Sequence, residues 1–440
     1  MVQVQHTRRK GPAARVIEEF SLPRATMFGG ANLLLDYLEA VGLRRILDEC
    51  VSVRKRPDSA YSMADVLTVL VVGWMLGLER IFHFQDIERD PLLTLKLGLN
   101  KLPDHTLLYK DLARFDSPEK VNSLKETNRR ILSRVLGRGD HVILDFDSTV
   151  ETLYGEQEGA EVGYNPDRHG RPSYHPLLVF DGRSRACLNA ALRPGDAHTA
   201  EGFIAFYEHT VSMLPPGVKV GYVRMDKGFA GEDIYRFLEG KEVGYVGKVK
   251  VTERLLSWGR TLDWRRIEDG EWVIEVASGE YCATTWRKSR RVVLVRKRLA
   301  EPEENVLLEE LLWDHDAMVT NLDWDEEDIW RFYNQRCAAE NYIKEAKHGF
   351  FIGDVPTAEF YPNYADLLLK VMAYNLSLGL KAAAEREVQG HRTMATLRRL
   401  FLQIPAVLVR RGRCWVLRLW RESPRQQEYR RLRIAICGAT

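Results

Sequence analysis

Residues 333–347 read Tyr-Asn-Gln-Arg-Cys-Ala-Ala-Glu-Asn-Tyr-Ile-Lys-Glu-Ala-Lys and bring a phenol, a guanidinium, carboxylates and ammonium groups into one short window. The window lacks Gly and Pro and is rich in helix formers, so it reads as a single helix. At about 100° per residue, Arg336 lies ~60° behind Tyr333, Glu340 ~20° behind and Lys347 ~40° behind. Tyr333, Arg336, Glu340 and Lys347 therefore share one arc. Lys344 falls on the same side, while Glu345 points ~120° away. A carboxylate flanked by cations suits a site that handles a polyanionic phosphodiester. A solvated helix face with Glu/Lys pairing has the same pattern.

Two more carboxylates stand where a site could collect. The run His141-Val-Ile-Leu-Asp-Phe-Asp-Ser-Thr149 reads as a strand with Asp145 and Asp147 on one face, and Asp226 ends a second strand, Val218–Met225. Two carboxylates ~4 Å apart repel by roughly 4 kcal/mol at an effective dielectric near 20. With Glu340 added, the cluster needs protons or cations to hold together. The chain has no clustered His or Cys, so hard divalent ions are favoured: Mg²⁺ or Mn²⁺, two per site, bound by Asp147, Asp226 and Glu340. Such a site performs phosphoryl transfer.

The elements that must position these residues divide the chain into five stretches. Residues 1–138 read as an arm with Arg8, Arg9, Lys10 and Arg15, then a helical DNA-binding domain. Its amphipathic segments are 32–50, 62–80, 83–90 and 117–136, with Pro57 and Pro91 as breaks. The phrase 102–115 offers a helix capped by Asp104 or Thr106, compatible with a helix-turn-helix-like module, and Lys125, Arg129, Arg130, Arg134 and Arg138 make a basic face. Residues 139–250 read as the first part of an α/β core. They comprise a strand, an acidic glycine-containing loop, a hairpin (175–180 and 185–192) turning at Asp181-Gly182, a helix capped by Thr199 and two crossover strands.

Residues 251–316 form a β-rich insertion with five of the ten tryptophans, and expected strands 272–276, 281–286 and 291–298. Tryptophans interleaved with Arg and Lys suit stacking on an unpaired base, and they equally suit the core of a small β-domain. Residues 317–385 complete the core, with a returning strand at 317–322 and a motif helix starting at Asp325 or Glu326. Residues 386–440 are basic, with twelve Arg against Glu422 and Glu428 from residue 391 onward. They include a hairpin at 407–420 tipped by Arg410-Arg-Gly-Arg413, which suits a phosphate or minor-groove probe or is simply an exposed charged turn.

Hydrophobic content of 45% and aromatic content of 10% speak for a globular and against a disordered chain, and a net charge of +2 is uninformative globally, whereas the basic end suggests a localised polyanion surface. Six scattered cysteines without a CxxC pair speak against a zinc site or disulfide framework and for a reducing, cytoplasmic setting. The start has no apolar signal region, and the apolar run 66–78 is too short to span a bilayer, so no membrane partner is expected.

The chain resembles the DDE transposases of bacterial insertion sequences. It is similar to the group with the Tyr-x2-Arg-x3-Glu-x6-Lys signature, met here at Tyr333, Arg336, Glu340 and Lys347. Asp147-Ser-Thr and Asp226-Lys-Gly-Phe resemble the two strand motifs of that group. The phrases 102–106, 155–159, 174–180 and 192–198 resemble the subgroup called "thirteen-eighty". The resemblance covers about residues 30–420. It implies an RNase H-like mixed sheet with flanking helices, interrupted by a β-rich insertion. It also implies a catalytic triad of Asp147, Asp226 and Glu340, with Tyr333, Arg336 and Lys347 on DNA phosphates; Lys344, on the same side of the helix, is expected to bind DNA beside them. The expected partners are the double-stranded terminal inverted repeats of the element, target DNA, and a second copy of the chain in a synaptic homodimer. The expected activity is strand cleavage and transfer, with a hairpin intermediate on the element's end. A structure-selective nuclease on the same fold, or a catalytically silent DNA-binding protein, would share many of these features.

Overall fold

The structure, a computed structural model, describes residues 17–136, 141–166, 168–269, 272–299, 313–388 and 392–438, with only the backbone of 135, 268–269, 337–340 and 437–438. The basic residues of the expected arm, from Arg8 to Arg15, lie outside the described residues. After a two-residue strand, β1 (Ala25–Thr26), come six helices: α1 (Ala31–Val41), α2 (Leu43–Cys50), α3 (Met63–Leu76), α4 (Pro91–Leu97), α5 (His105–Leu112) and α6 (Pro118–Val135). The segment 32–50 is two helices because Gly42, at φ +77°, closes α1 on the carbonyls of Leu38 and Glu39. A capping box of Ser62 and Asp65 starts α3, whose residues are all buried, making it the central helix of this unit. Pro91 starts a helix instead of only ending a series: its fixed φ suits the first helical position, and Asp90 accepts the amides of Leu92 and Leu93. Asp104 caps α5. The basic face of α6 is largely engaged within the protein. Arg129 pairs with Glu126 at 2.6 Å, Arg130 pairs with Glu49, and Lys125 packs over the Tyr364 ring at 5.2 Å.

The second unit is one nine-stranded sheet. It begins with β2 (His141–Ser148) and is followed by a small separate sheet of β3 (Glu151–Thr152), β4 (Glu161–Val162) and β5 (Pro172–Tyr174) in the stretch expected to be loop. Next come the hairpin β6 (Leu177–Asp181) and β7 (Cys187–Ala191), then α7 (Phe203–Ser212), β8 (Lys219–Met225), α8 (Glu232–Gly240) and β9 (Gly244–Lys248). Thr199 does not cap α7. Arg193 donates to the carbonyls of His198 at 3.1 Å and Glu201 at 2.8 Å, which holds this segment as a turn, and the helix starts only after Gly202.

The insertion contributes α9 (Glu253–Gly259), β10 (Arg265–Asp269), β11 (Trp272–Tyr281) and β12 (Arg290–Leu299), and the chain returns as β13 (Asp314–Thr320). The full order is β10-β11-β12-β13-β9-β8-β2-β6-β7, with β2, β8 and β9 mutually parallel and the other pairs antiparallel. The insertion strands thus prolong the central sheet. The strand expected at 281–286 does not form, because Tyr281 is already paired with Arg290 and residues 282–289 connect the two strands. Four of the five insertion tryptophans pack within the protein. Arg296 lies between Trp264 (4.3 Å) and Trp313 (4.7 Å), Trp286 meets Tyr235, and Trp258 meets Tyr281, leaving Trp272 as the exposed one. The basic group 288–291 is likewise spent on internal pairs, Arg290 with Glu232 and Glu239 and Arg291 with Glu326.

The chain ends with α10 (Glu326–Asn334), α11 (Cys337–Phe350), α12 (Phe360–Glu387), α13 (Met394–Leu397), the hairpin β14 (Ala406–Arg411) and β15 (Cys414–Leu419), and α14 (Gln426–Gly438). The α12 helix is long and apolar enough to cross a membrane, but 89% of that stretch is buried, against α3, α6, α14 and β7. Because α14 packs on α1 and α12 and β14 pairs with β1, the last fifty residues are joined to the N-terminal helices.

Candidate active site

The site grows from the parallel pair β2 and β8. Phe146 stands opposite Met225 in register, so Asp147 and Asp226 each lie one residue beyond that pair, at the carboxyl ends of adjacent strands about 4.8 Å apart. Both are half-buried. Asp147 Oδ1 accepts the Ser148 amide at 2.8 Å, and Asp226 Oδ1 accepts the Gly228 amide at 2.8 Å, so local backbone fixes one oxygen of each.

The signature segment does not form one helix. Asp325 caps α10, as its sequence suggested, but α10 ends at Asn334 and α11 begins at Cys337. Between them the Arg336 amide reaches back three residues to the Tyr333 carbonyl at 2.8 Å, a tight turn that interrupts the regular helical ladder. The cause lies in the Arg336 side chain, which is buried and donates to the Phe146 carbonyl at 2.8 Å. Its guanidinium also lies 3.4 Å from Asp147 Oδ2. Drawing this residue into the sheet bends the segment at the point where the shared arc assumed a straight helix. Tyr333 is buried among Val246, Ile329 and Trp330 on the far side of the bend.

Burial opposes the charge of Arg336, yet Asp147, Tyr333, Asp226 and Asp145 together outweigh it and raise its pKa above the ordinary arginine value. The two aspartates therefore both face this cation. Arg336 Nε is buried and has no hydrogen-bond partner among the described residues. Glu340 sits in the first turn of α11, and its side chain lies outside the described residues. Lys344 is exposed and Lys347 half-buried one and two turns further along. Glu345 points elsewhere, as its spacing indicated: it accepts Lys381 Nζ at 2.6 Å and the Met394 amide at 2.8 Å, fastening α11 to α12 and α13.

Asp145, the same-strand rival of Asp147, has a different occupation. Both its oxygens are taken by Arg224 of the neighbouring strand, at 2.6 and 2.7 Å, and both side chains are only 1% exposed. The third arm of Arg224 donates to the Phe332 carbonyl at 2.7 Å, so this pair pins α10 to the sheet. Glu151, four residues past Asp147, was not singled out by sequence reasoning. The residue is 4% exposed, and burial pushes its pKa up to about 8, against the pull of Lys347 and Lys370. Its sole sequence signal is an acid in a short strand directly after the Asp147-Ser-Thr motif.

For divalent ions, the donors are hard carboxylate oxygens on adjacent strand ends, which suits Mg²⁺ or Mn²⁺. Among the described residues no three His, Cys, Asp or Glu side chains converge on one metal point. Asp147 and Asp226 would supply two ligands to such an ion, and a third would come from Glu340.

A mixed sheet carrying paired aspartates on neighbouring parallel strands is the framework of a DDE domain, and the chain belongs to the transposase DDE domain group 1 family, whose model matches residues 14–437. Domains of this class perform phosphodiester cleavage and transfer on DNA with divalent metal ions. Among solved structures, a piggyBac transposase in a synaptic complex with hairpin DNA is similar at 12% identity, covering 83% of this chain and 78% of that one, with a TM-score of 0.43. No curated protein matches the chain.

Proposed function

We propose that this protein is the transposase of an insertion sequence, which binds the element's terminal inverted repeats, hydrolyses a strand at each end and joins the freed 3′-hydroxyl to target DNA. The observation that carries this reading is the meeting of Asp147 and Asp226 at adjacent strand ends beneath the helix junction headed by Arg336. In this reading Asp147, Asp226 and Glu340 hold two Mg²⁺ or Mn²⁺ ions. Bound there, the ions supply activation of water or the 3′-hydroxyl and stabilisation of the leaving oxygen. Lys344 and Lys347, on the accessible side of α11, hold phosphates next to the reacting bond. Tyr333 and Arg336 are buried, so we assign them to the floor of the site: Arg336 offsets the repulsion of the two aspartates and fixes Asp147, and Tyr333 wedges the helix junction. Acting on two ends at once requires two copies of the chain, a synaptic homodimer, and a hairpin on the element's end is the expected intermediate. The protein works in the cytoplasm, on the nucleoid.

The test is strand transfer. Labelled end DNA, a supercoiled target and Mg²⁺ should yield joined products; cleavage that never leads to joining would instead identify a structure-selective nuclease. Inverted repeats flanking the gene would supply the end sequence.

A further inference from the structure

The three-stranded sheet β1-β14-β15 has no part in the site described above, and its charge is one-sided. Its strands and turn hold Arg410, Arg411, Arg413 and Arg418 and no Asp or Glu, with Arg24 directly before β1. All five arginines are exposed, and none of Arg410, Arg411, Arg413 and Arg418 forms an ion pair among the described residues. By contrast, the basic groups of α6 and of the insertion are largely consumed by neighbouring carboxylates.

The sheet is also held firmly. The Gly29 amide donates to the Ile404 carbonyl at 2.8 Å and the Leu408 amide to the Arg24 carbonyl at 3.0 Å. A Cβ on Gly30 would stand 1.6 Å from the Phe401 carbonyl oxygen, so the chain before the hairpin is pressed against the start of α1. Cross-strand pairing puts Arg411 and Arg418 on one face with Val407, Val409 and Val416. On the other face Arg410 is paired with the exposed Trp415, whose ring is also covered by Arg24 at 5.2 Å. A solvated tail would spread like charges apart on a mobile segment. Here a two-stranded ribbon holds Arg410, Arg411 and Arg413 at its turn and Arg418 further along β15, opposite Val407, and ordering like charges without counter-ions is unfavourable unless a polyanion supplies them.

We propose that the β14–β15 ribbon is a second DNA-binding surface, which docks on duplex DNA through its phosphate backbone, apart from the catalytic residues. A two-stranded ribbon has the width of the DNA major groove, and arginine tips reach the phosphates on its walls. The inference rests on the DNA reading of the active site, and it adds where the duplex is gripped outside the cleavage point. The contacts carry charge but no base readout, so their signature is salt dependence.

The experiment measures binding of the full-length protein to labelled linear duplex by fluorescence anisotropy from 50 to 200 mM salt, comparing wild type with Arg411→Gln/Arg413→Gln/Arg418→Gln. Loss of three phosphate contacts should lower the log–log salt slope by about 2.7, so wild type loses ~40-fold more affinity than the variant across that range. The matching triple Lys variant should keep the wild-type slope. Cleavage measured at protein concentrations saturating for each variant should be unchanged. An unaltered slope in the Gln variant, with its thermal unfolding intact, would overturn the proposal, as would a Lys variant that behaves like the Gln variant. If wild type itself shows no salt-dependent binding to duplex, the DNA reading fails, and the ribbon's role fails with it.

Discussion

Replacing Asp145 by Asn separates structure from catalysis on a single strand. The change is nearly isosteric, but it leaves the Arg224 guanidinium buried at 1% exposure without its counter-charge. Breaking one partner of a buried pair typically costs about 3–5 kcal/mol. Two short contacts, at 2.6 and 2.7 Å, are lost or weakened together, and the α10 anchor on the Phe332 carbonyl is strained with them, so the upper part of that range is expected. The same substitution at Asp147, which is half-buried and 3.4 Å from Arg336, should cost less, because the Phe146 carbonyl, Asp226 and Asp145 still face that guanidinium. Urea unfolding followed by tryptophan fluorescence reads the first effect, and Mg²⁺-dependent cleavage of end DNA reads the second. Asp145→Asn should shift the midpoint strongly, while Asp147→Asn should stay folded and lose cleavage. The double variant Asp145→Leu/Arg224→Met should recover most of the lost stability, because two apolar groups replace a desolvated pair. The reasoning would be refuted by an Asp145→Asn protein as stable as wild type but inactive, beside an Asp147→Asn protein that cleaves normally.

Two further outcomes follow from the same geometry. Burial raises the pKa of Glu151 from 4.5 to about 8, so the folded protein keeps a proton that the unfolded chain has released. This group's favourable contribution is complete below about 4.5 and is lost as pH climbs toward 8, at up to roughly 1.4 kcal/mol per pH unit. Glu151→Gln should flatten the stability profile across that window and stabilise the protein at its alkaline end; an unchanged profile would contradict it. Lys347→Ala should weaken end binding and reduce its salt slope by about 1, as expected for one lost phosphate contact, whereas an unaltered slope would remove Lys347 from the interface.

The parts of the site that obey local rules were legible in the sequence. Asp147 and Asp226 stand out as acids at the ends of β-branched runs, and Asp325 as a cap before a helical pattern; both patterns depend on near neighbours alone. Helical angles also excluded Glu345, since its direction is set within α11 itself. The bend at Arg336 was not legible, because it is imposed by the Phe146 carbonyl, 190 residues away in sequence. The fate of Asp145 was hidden for the same reason: its partner Arg224 is brought beside it only when β2 and β8 pair. Long-range pairing also turned an expected small β-domain into a continuation of the central sheet, since an edge strand such as β9 offers unpaired backbone groups that the returning β13 can satisfy. Pro91 reads as a breaker or a helix start depending only on whether Asp90 caps it. The α14 helix went unseen because its apolar positions, Tyr429, Leu432 and Ile436, are diluted by arginines.

The central claim is that Asp147, Asp226 and Glu340 act as one metal-dependent unit on DNA. Single-turnover cleavage of labelled inverted-repeat DNA by Glu340→Gln in Mg²⁺ tests it most directly. The account predicts a folded protein that binds the end DNA with wild-type affinity and cleaves it roughly a hundred- to a thousand-fold more slowly, on the order of an electrostatic catalytic group removed. Wild-type cleavage by Glu340→Gln would contradict it.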